Sequence, residues 1–190
     1  MKKLDKEKEK LKEYASVHQK EIENDFIERV PLKELRNPEC FKHYINHFSV
    51  WKRDPNSIKK FRRVFYSSLH AKGKASLNDL MLKGSQLTPH ILTTLLRLRL
   101  FPFLLCMDIS KAFLRMALLP RDRNFTCFLA RDNWMDPNSP VSIWRFKSVL
   151  FGATSSPFLL KCTVADILKE NKFDENLEAF CRQPIFLTRQ

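Results

Sequence analysis

Period-two alternation of apolar and polar residues in two neighbouring segments is the feature that most constrains the fold of this chain. Residues 41–53 and 61–68 alternate in this way and are rich in Phe, Tyr, Val and Trp, which is typical of β-strands. The intervening segment 52–57, Lys-Arg-Asp-Pro-Asn-Ser, favours a turn. The sequence therefore predicts a β-hairpin. Its tip and second strand carry the cations Lys52, Arg53, Lys59, Lys60, Arg62 and Arg63.

Three further segments carry helical signals. Residues 2–28 repeat apolar side chains at steps of three, four and seven, which predicts one amphipathic helix. Thr88 and Pro89 form a capping residue followed by a proline at the first helical position, and predict a helix over 89–100. Because that helix is apolar on most sides, we expect it to be buried. A matching Ser-Pro pair predicts the third helix, over 156–170. Its apolar side is expected to contain Phe158, Leu159, Cys162, Ala165 and Leu168.

The part of the chain between the two capped helices carries strand signals. Residues 103–107 are a continuous apolar run, which predicts a strand buried on both faces and closed by Asp108. Residues 110–119 suit a short helix or an extended turn. Residues 124–131 and 141–146 predict a second hairpin around a polar loop. Strands and helices interleave without a regular βαβ rhythm, so the predicted fold class is α+β.

The charge and composition limit the classes of function. Lys and Arg number 34 against 21 Asp and Glu, a net charge of +13, which favours nucleic acid as a partner, with an anionic membrane surface as the alternative. No apolar run reaches the roughly 18 residues of a spanning helix, so we expect no membrane insertion. With only three glycines, the chain has no glycine-rich phosphate loop. The charged N-terminus and five dispersed cysteines predict a cytoplasmic or nuclear, intracellular protein with reduced thiols.

Four features could carry chemistry, and each also has a purely structural interpretation. Asp108 suits Mg²⁺, which takes one or two carboxylates plus substrate phosphates, but an Asp at this place also caps a turn. Phe113 is either a ligand-facing aromatic or a core residue. The Phe-Gly-Ala-Thr-Ser-Ser-Pro segment at 151–157 permits close approach of a ligand at its glycine, but it also suits a plain helix start. The basic hairpin either contacts phosphates or is a solvated turn.

Taken in order, these features resemble the reverse transcriptase domain of Bel/Pao-type LTR retrotransposons. Six stretches between residues 44 and 160 carry the resemblance, and a weaker one lies at 26–31. They are YINHFSV at 44–50 (the family has YLPHHPV), FRRVFYSS at 61–68 (VRVVFDAS), SLND at 76–79 with Leu82 and Gly84 (SLND…L.G), LLRLRL at 95–100 (LLRFRL), MDISKAF at 107–113 (DIEKAF) and VLFGATSSPFLL at 149–160 (VPFGLTSSPFLL).

The resemblance implies a partial right-hand polymerase fold, with fingers and an incomplete palm behind an N-terminal amphipathic helix. It divides the chain into an N-terminal helix and linker (1–43), a fingers-like hairpin and helix (44–101), a palm strand with the first catalytic Asp block (102–130), a hairpin (131–148), the FGATSSP block with a palm helix (149–172) and a divergent tail (173–190).

The resemblance also implies roles for residues of the first palm block in RNA-directed DNA polymerisation. Asp108 would be catalytic and would bind two Mg²⁺ ions, with the backbone carbonyl of Ile109 as a further ligand. Backbone N–H groups near Lys111 and Ala112 would meet the triphosphate of the incoming dNTP. Phe113 would be the steric gate that excludes a ribose 2′-OH.

The fingers and the second palm block would complete the nucleotide and template-primer site. Arg62, together with Lys52 or Arg53, would clamp the triphosphate. Phe151 and Gly152 would line the pocket with the rest of the 151–157 segment.

The sequence departs from the family pattern in ways that bear on activity. Two metals need more than one carboxylate, and the 190 residues contain no Tyr-x-Asp-Asp block. Tyr66 stands where the family has Asp, and Leu150 stands where it has Pro. We therefore expect a retrotransposon reverse transcriptase fragment that is inactive alone, with the remainder of a polyprotein as a partner. The alternatives are a non-catalytic basic nucleic-acid-binding module and an unstable pseudogene product.

Overall fold

The computed structural model describes residues 2–53, 59–70, 72–87, 89–103, 108–136 and 138–170, and shows a mixed α+β fold. The helices are α1 (Lys2–Glu23), α2 (Leu32–Arg36), α3 (Leu77–Leu80), α4 (Ile91–Leu98) and α5 (Ser156–Glu170). The strands are β1 (Ile27–Arg29), β2 (Asn46–Arg53), β3 (Lys59–Tyr66), β4 (Cys127–Arg131) and β5 (Val141–Phe146). Two 3₁₀ helices, Ala112–Arg115 and Pro120–Thr126, precede β4. Of the predicted turn at 52–57, Lys52 and Arg53 belong to β2, while 54–57 and the tail at 173–190 lie outside the described residues.

Two antiparallel sheets contain all five strands. One has the order β1-β5-β4, and the other is the β2-β3 hairpin. Phe128 pairs with Trp144 in the first sheet, and Phe48 pairs with Val64 in the second. Both predicted hairpins are therefore confirmed. Of the two alternatives left open for 110–119, a short helix or an extended turn, the structure has a 3₁₀ helix at 112–115.

The first helix ends earlier than predicted, at residue 23 rather than 28. The side-chain amide of Asn24 donates to the carbonyl of Lys20 at 2.6 Å, and Asp25 has a φ of +58°, a left-handed conformation that Asp tolerates and that stops a helix. Phe26 follows as a buried residue outside the helix. The next three residues form β1, which pairs with β5 and which the helical periodicity concealed.

Aromatic side chains from both sheets form the centre of the core. Phe128 is fully buried and Phe146 is 2% exposed. Phe65 of the hairpin lies across both, with ring centroids 5.1 Å from Phe128 and 4.8 Å from Phe146. The inner face of the hairpin thus packs on β4 and β5, together with Ile27 and Ile45.

A buried cation joins the hairpin to α1. The Arg63 side chain has no exposed surface and forms an ion pair with Glu21. Its Nη1 donates to Nδ1 of His18 at 3.3 Å. The guanidinium also lies about 5 Å above the ring centroids of Phe65 and Phe128, an arrangement in which the ring quadrupole attracts the cation.

The helix predicted over 89–100 is present as α4, but the expectation that it is buried is wrong. Ile91 is 61% exposed, Leu95 is 53% exposed, and among the residues of α4 only Thr94 is buried. An apolar composition shows that a helix could be buried, but not whether another element packs against it. In the described part of the chain, only the side of α4 that carries Thr94 is covered. Thr88 is outside the described residues, and His90 takes the capping position.

The predicted strand at 103–107 is described only at its first residue. Phe103 is 86% exposed, in contrast to the expected burial, while 104–107 lie outside the described residues. None of the helices in the described ranges is long and apolar enough to cross a membrane.

The third predicted helix is confirmed as α5, but its buried side differs from the prediction. Leu160 is 4% exposed and packs with Val164 against Met116 and Val149, whereas Leu159 and Ala165 are exposed. The side of α5 that is buried depends on where the 3₁₀ helix at 112–115 and the residues after it lie. The periodicity of α5 alone does not reveal that position. The Ser156 hydroxyl donates to the carbonyl of Leu150 at 2.7 Å, so it fixes the turn before α5.

The buried histidine makes the stability of the fold dependent on pH. Burial, and then the charge of Arg63, lower the pKa of His18 to about 4, against roughly 6.5 in an unfolded chain. Between these values the unfolded chain binds a proton that the folded chain does not bind. The contribution of His18 to the free energy of unfolding is therefore fully present above about pH 6.5 and is lost as the pH falls toward 4.

Urea unfolding at pH 7.5 and pH 5 measures this effect. We expect the free energy of unfolding of the wild type to fall by about 2 kcal/mol between the two values. His18→Asn, whose amide oxygen can still accept from Arg63, should reduce this decrease, while His70→Gln at an exposed position should not. An unchanged decrease in His18→Asn would assign the effect to other groups.

Candidate nucleotide site

Phe113 and Phe151, two predicted site residues from separate sequence blocks, are in contact. Their ring centroids are 5.0 Å apart and the rings are nearly perpendicular, at 78°. Backbone bonds hold the two segments together: the amide of Val149 donates to Met116 at 2.9 Å, and the amide of Leu118 donates to Lys147 at 2.7 Å. Phe151 is 52% exposed, so one side of the pair is open to solvent.

Asn78 fastens the loop that follows Phe151 to the end of the hairpin. Its Nδ2 donates to Oγ of Ser68 at 2.8 Å and to the carbonyl of Gly152 at 3.0 Å. Its Oδ1 accepts from the amide of Thr154 at 2.9 Å. Gly152 has a φ of +85°, a conformation that glycine adopts without strain. The Asn78 side chain thus holds the loop 152–154 in place by hydrogen bonds, and Gly152 allows the backbone of that loop to turn.

The Ser-Leu-Asn-Asp segment presents Asn78 through a capping box at the start of α3. The amide of Asp79 donates to Oγ of Ser76 at 3.2 Å, and the amide of Ser76 donates to the Asp79 carboxylate at 2.8 Å. Such reciprocal bonds satisfy two free backbone donors at a helix start. Hydrogen bonds from Ser76 are also the largest cause that lowers the pKa of Asp79.

Gly84 connects the same stretch to α5. It has a φ of +77°, and a Cβ atom there would lie 2.3 Å from Cγ of Phe158, well inside van der Waals contact. Any other residue would have to displace the Phe158 ring. The segment 151–158 is therefore contacted by two separate parts of the chain, through Phe113 and through the 76–84 stretch with Asn78 and Gly84.

The residues predicted to bind metal are exposed. Asp108 has an exposed side chain, and Ile109 is 45% exposed. Within the described ranges there is no group of three or more His, Cys, Asp or Glu side chains that could hold a metal ion. The metal-binding roles that the resemblance implies for Asp108 and Ile109 stay predictions.

Lys111 and Ala112 lie at the start of the 3₁₀ helix. Lys111 has a φ of +55°, a conformation that is uncommon for a residue with a side chain. Its Nζ lies 5.2 Å from the ring centroid of Phe26. The Lys111 side chain thus interacts with the N-terminal part of the chain.

The predicted fingers cations lie on the hairpin. Arg62 is half-buried and pairs with Val50 across the strands. Lys52 and Arg53 pair through their backbones with Lys60 and Lys59. The hairpin approaches the 151–158 segment at the far end of β3, where the carbonyl of Phe65 is 3.7 Å from a Cβ built on Gly152. The end of the hairpin at Phe65 thus lies beside this segment, whereas Lys52 and Arg53 lie at the opposite end of the two strands.

Two features of the site were not predicted from the sequence. The bridging role of Asn78 depends on three segments distant in sequence, and only the Ser-x-x-Asp capping pattern could have indicated the local turn. The outward orientation of the aromatic residues Phe48 and Tyr66 could have been read from the alternation of the two strands.

No protein-family model matches the chain, and no curated protein matches it significantly. The function is therefore argued from the residues and their geometry.

Asn78→Asp tests the bridge, because it replaces the donor to Gly152 with an oxygen that faces a carbonyl. We expect a loss of about 1–3 kcal/mol of stability and faster hydrogen exchange at the amide of Thr154. The matched control is Asn133→Asp, since Asn133 uses its side-chain oxygen to accept from Met135 and Asp retains that acceptor. Equal effects of both substitutions would contradict the bridging role.

Proposed function

We propose that this chain is the template-primer and dNTP-binding region of a Bel/Pao-type retrotransposon reverse transcriptase, with fingers and part of a palm of the right-hand polymerase fold. The observation that supports the proposal best is that two blocks of the resemblance meet a third, the segment 151–158. Phe113 of the first palm block contacts Phe151 edge to face, and the Ser-Leu-Asn-Asp…Gly stretch reaches the same segment through Asn78 and Gly84. Blocks that are distant in sequence are thus brought together around the residues to which the resemblance gives roles in nucleotide binding.

The steric gate in this proposal is the Phe113 ring. Its contact with Phe151 restrains the ring, so that the space beside it is limited. A deoxyribose would fit there, while a ribose would bring its 2′-OH against the ring edge. Gly152 would let the pocket wall approach the nucleotide closely.

The cationic and acidic groups would act on the triphosphate. Asp108 and the carbonyl of Ile109 would hold Mg²⁺ together with phosphate oxygens, and the metal would neutralise phosphate charge. The backbone amides of Lys111 and Ala112, at the start of the 3₁₀ helix, would donate to the phosphates. Arg62, with Lys52 or Arg53, would supply cations from the hairpin.

The proposal assigns binding, and not complete catalysis, to these 190 residues. Phosphoryl transfer by two metals needs a clamp on both the attacking and the leaving oxygen, and a single Asp supplies too few carboxylates for both ions. The chain has no Tyr-x-Asp-Asp block, so the remaining carboxylates would come from another part of the polyprotein.

A nucleotide-binding experiment tests the gate. Fluorescence anisotropy of dUTP and UTP carrying the same dye on the base is measured with template-primer and Mg²⁺. The wild type should prefer dUTP, and Phe113→Leu, which keeps the site apolar, should reduce that preference by about tenfold. Asp108→Asn should remove the dependence on Mg²⁺.

The control is Phe125→Leu, an exposed aromatic that contacts Phe41 and not Phe151. Thermal unfolding checks that each variant is folded. An equal affinity of the wild type for dUTP and UTP would contradict the gate. Template-dependent primer extension that is lost in Asp108→Ala would contradict the assignment of binding without catalysis.

A further inference from the structure

A cleft of about 500 Å³ lies between α1 and the segment that joins β4 to β5. Side chains of α1 between residues 15 and 22 form one wall, and residues 132–134 together with Trp144 form the other. The volume falls within the roughly 300–1,000 Å³ of small-molecule sites. None of the residues that line this cleft belongs to the candidate nucleotide site, so the cleft is a separate feature of the fold.

Three ring nitrogens of the side chains that line the cleft are buried and have no hydrogen-bond partner in the described part of the chain. They are Nε2 of His18, Nε1 of Trp134 and Nε1 of Trp144, and His18 as a whole is only 4% exposed. Most buried donors in folded proteins are paired, and a buried indole N–H usually has an acceptor. Three unpaired nitrogens in one cleft are an exception that a bound molecule would explain.

All three nitrogens are hydrogen-bond donors. The Arg63 guanidinium can only donate, so Nδ1 of His18, 3.3 Å from its Nη1, is the acceptor. Burial lowers the pKa of His18 to about 4, so the imidazole is neutral at pH 7 and its single proton lies on Nε2. An indole nitrogen also only donates. The cleft therefore matches a molecule that supplies oxygen acceptors.

The shape of the cleft is set by flat rings. The ring centroids of His18 and Trp144 are 4.7 Å apart and the rings are nearly perpendicular, at 84°. On the other side of the cleft, Trp134 stacks on Tyr14 with centroids 4.7 Å apart. Ring faces are weaker acceptors for an N–H than a carbonyl oxygen is. Aromatic walls of this kind favour a planar aromatic ligand.

The charge at the cleft favours a neutral ligand over an anion. Asp132 lines the cleft and is close enough to act on the charge of His18. Its ion pair with Arg29 is long, at 3.4 Å, and the Arg29 side chain is 63% exposed, so Asp132 is only weakly compensated. The described residues that line the cleft include no Lys or Arg, and Arg63 is already paired with Glu21. A carboxylate ligand would therefore be repelled by Asp132.

We propose that this cleft binds a neutral, planar aromatic molecule whose carbonyl oxygens accept hydrogen bonds from the N–H groups of Trp134, Trp144 and His18. The three nitrogens have no exposed surface, so the carbonyl groups reach them after a rotation of the Trp134 side chain, which belongs to the segment between β4 and β5. The inference does not rest on the proposed function, because it uses neither the nucleotide site nor nucleic acid.

Heteronuclear NMR of the indole N–H groups in the full chain tests the proposal. The protein has three tryptophans, and Trp51, whose ring contacts Phe61 of the hairpin, is the internal control. Titration with N-methylphthalimide, a neutral planar compound with two carbonyl groups, should shift the indole signals of Trp134 and Trp144 and leave that of Trp51 in place. Phthalate, which is an anion, and N-methylisoindoline, which keeps the ring system but has no carbonyl, should each bind about tenfold more weakly.

Two substitutions remove one N–H each and keep an aromatic ring. Trp134→Phe and Trp144→Phe should each weaken the binding of N-methylphthalimide by about fivefold, whereas Trp51→Phe should not change it. Because the deleted N–H has no partner in the described part of the protein, neither cleft variant should lose thermal stability through a broken hydrogen bond. Thermal unfolding of the three variants measures this and shows that each one is folded.

Equal affinity for N-methylphthalimide and N-methylisoindoline would overturn the proposal. So would an equal shift of all three indole signals, or cleft variants that bind like the wild type. Indole signals of Trp134 and Trp144 that do not shift, but show cross-relaxation with a bound water, would assign the acceptor to water and would also overturn it.

Discussion

The burial of the Arg63 guanidinium between α1 and the hairpin is the constraint on which the rest of this structure depends. A buried charge is costly unless it is paired, and burial lowers the pKa of Arg63 to about 10, so the group stays charged at neutral pH. Glu21 pairs with it, and His18 accepts from it. Together these contacts attach α1 to the hairpin, because removal of Glu21 would leave the buried charge without compensation and removal of His18 would leave one guanidinium N–H without its acceptor.

The position of Arg63 also fixes which side of β3 faces the core. Successive side chains in a strand point to opposite faces, so a shift of one residue would move every side chain to the other face. With Arg63 and Phe65 inside, Arg62, Val64 and Tyr66 lie outside. The exposure of Phe48, Val64 and Tyr66 is therefore a consequence of the same register that places Phe65 against Phe128 and Phe146 and brings the end of β3 to Gly152.

Sequence reasoning succeeded where the signal is local. Both hairpins and α5 follow from alternation and from a Ser-Pro pair within a few residues. It failed where the outcome depends on contacts between segments distant in sequence. The exposure of Leu95 and the pairing of β1 with β5 are two such cases. The third is the burial of Arg63 against Glu21, because in the sequence Arg63 is one cation among several in a basic hairpin. At the candidate site, Phe113 contacts Phe151 and Asn78 bridges Ser68 to Gly152, and neither contact follows from the sequence, because each joins segments that only the fold brings together.

The central claim is that one register of the hairpin buries Arg63 and leaves exposed the side that, in the function we propose, faces the template strand. Photo-crosslinking of a single-stranded RNA containing 4-thiouridine, followed by mass spectrometry of the crosslinked peptides, tests it most directly. The account predicts crosslinks within 46–50 and 62–66, at Phe48 and Tyr66 above all. Crosslinks confined to α1 or to the 120–126 helix, with none on the hairpin, would contradict it.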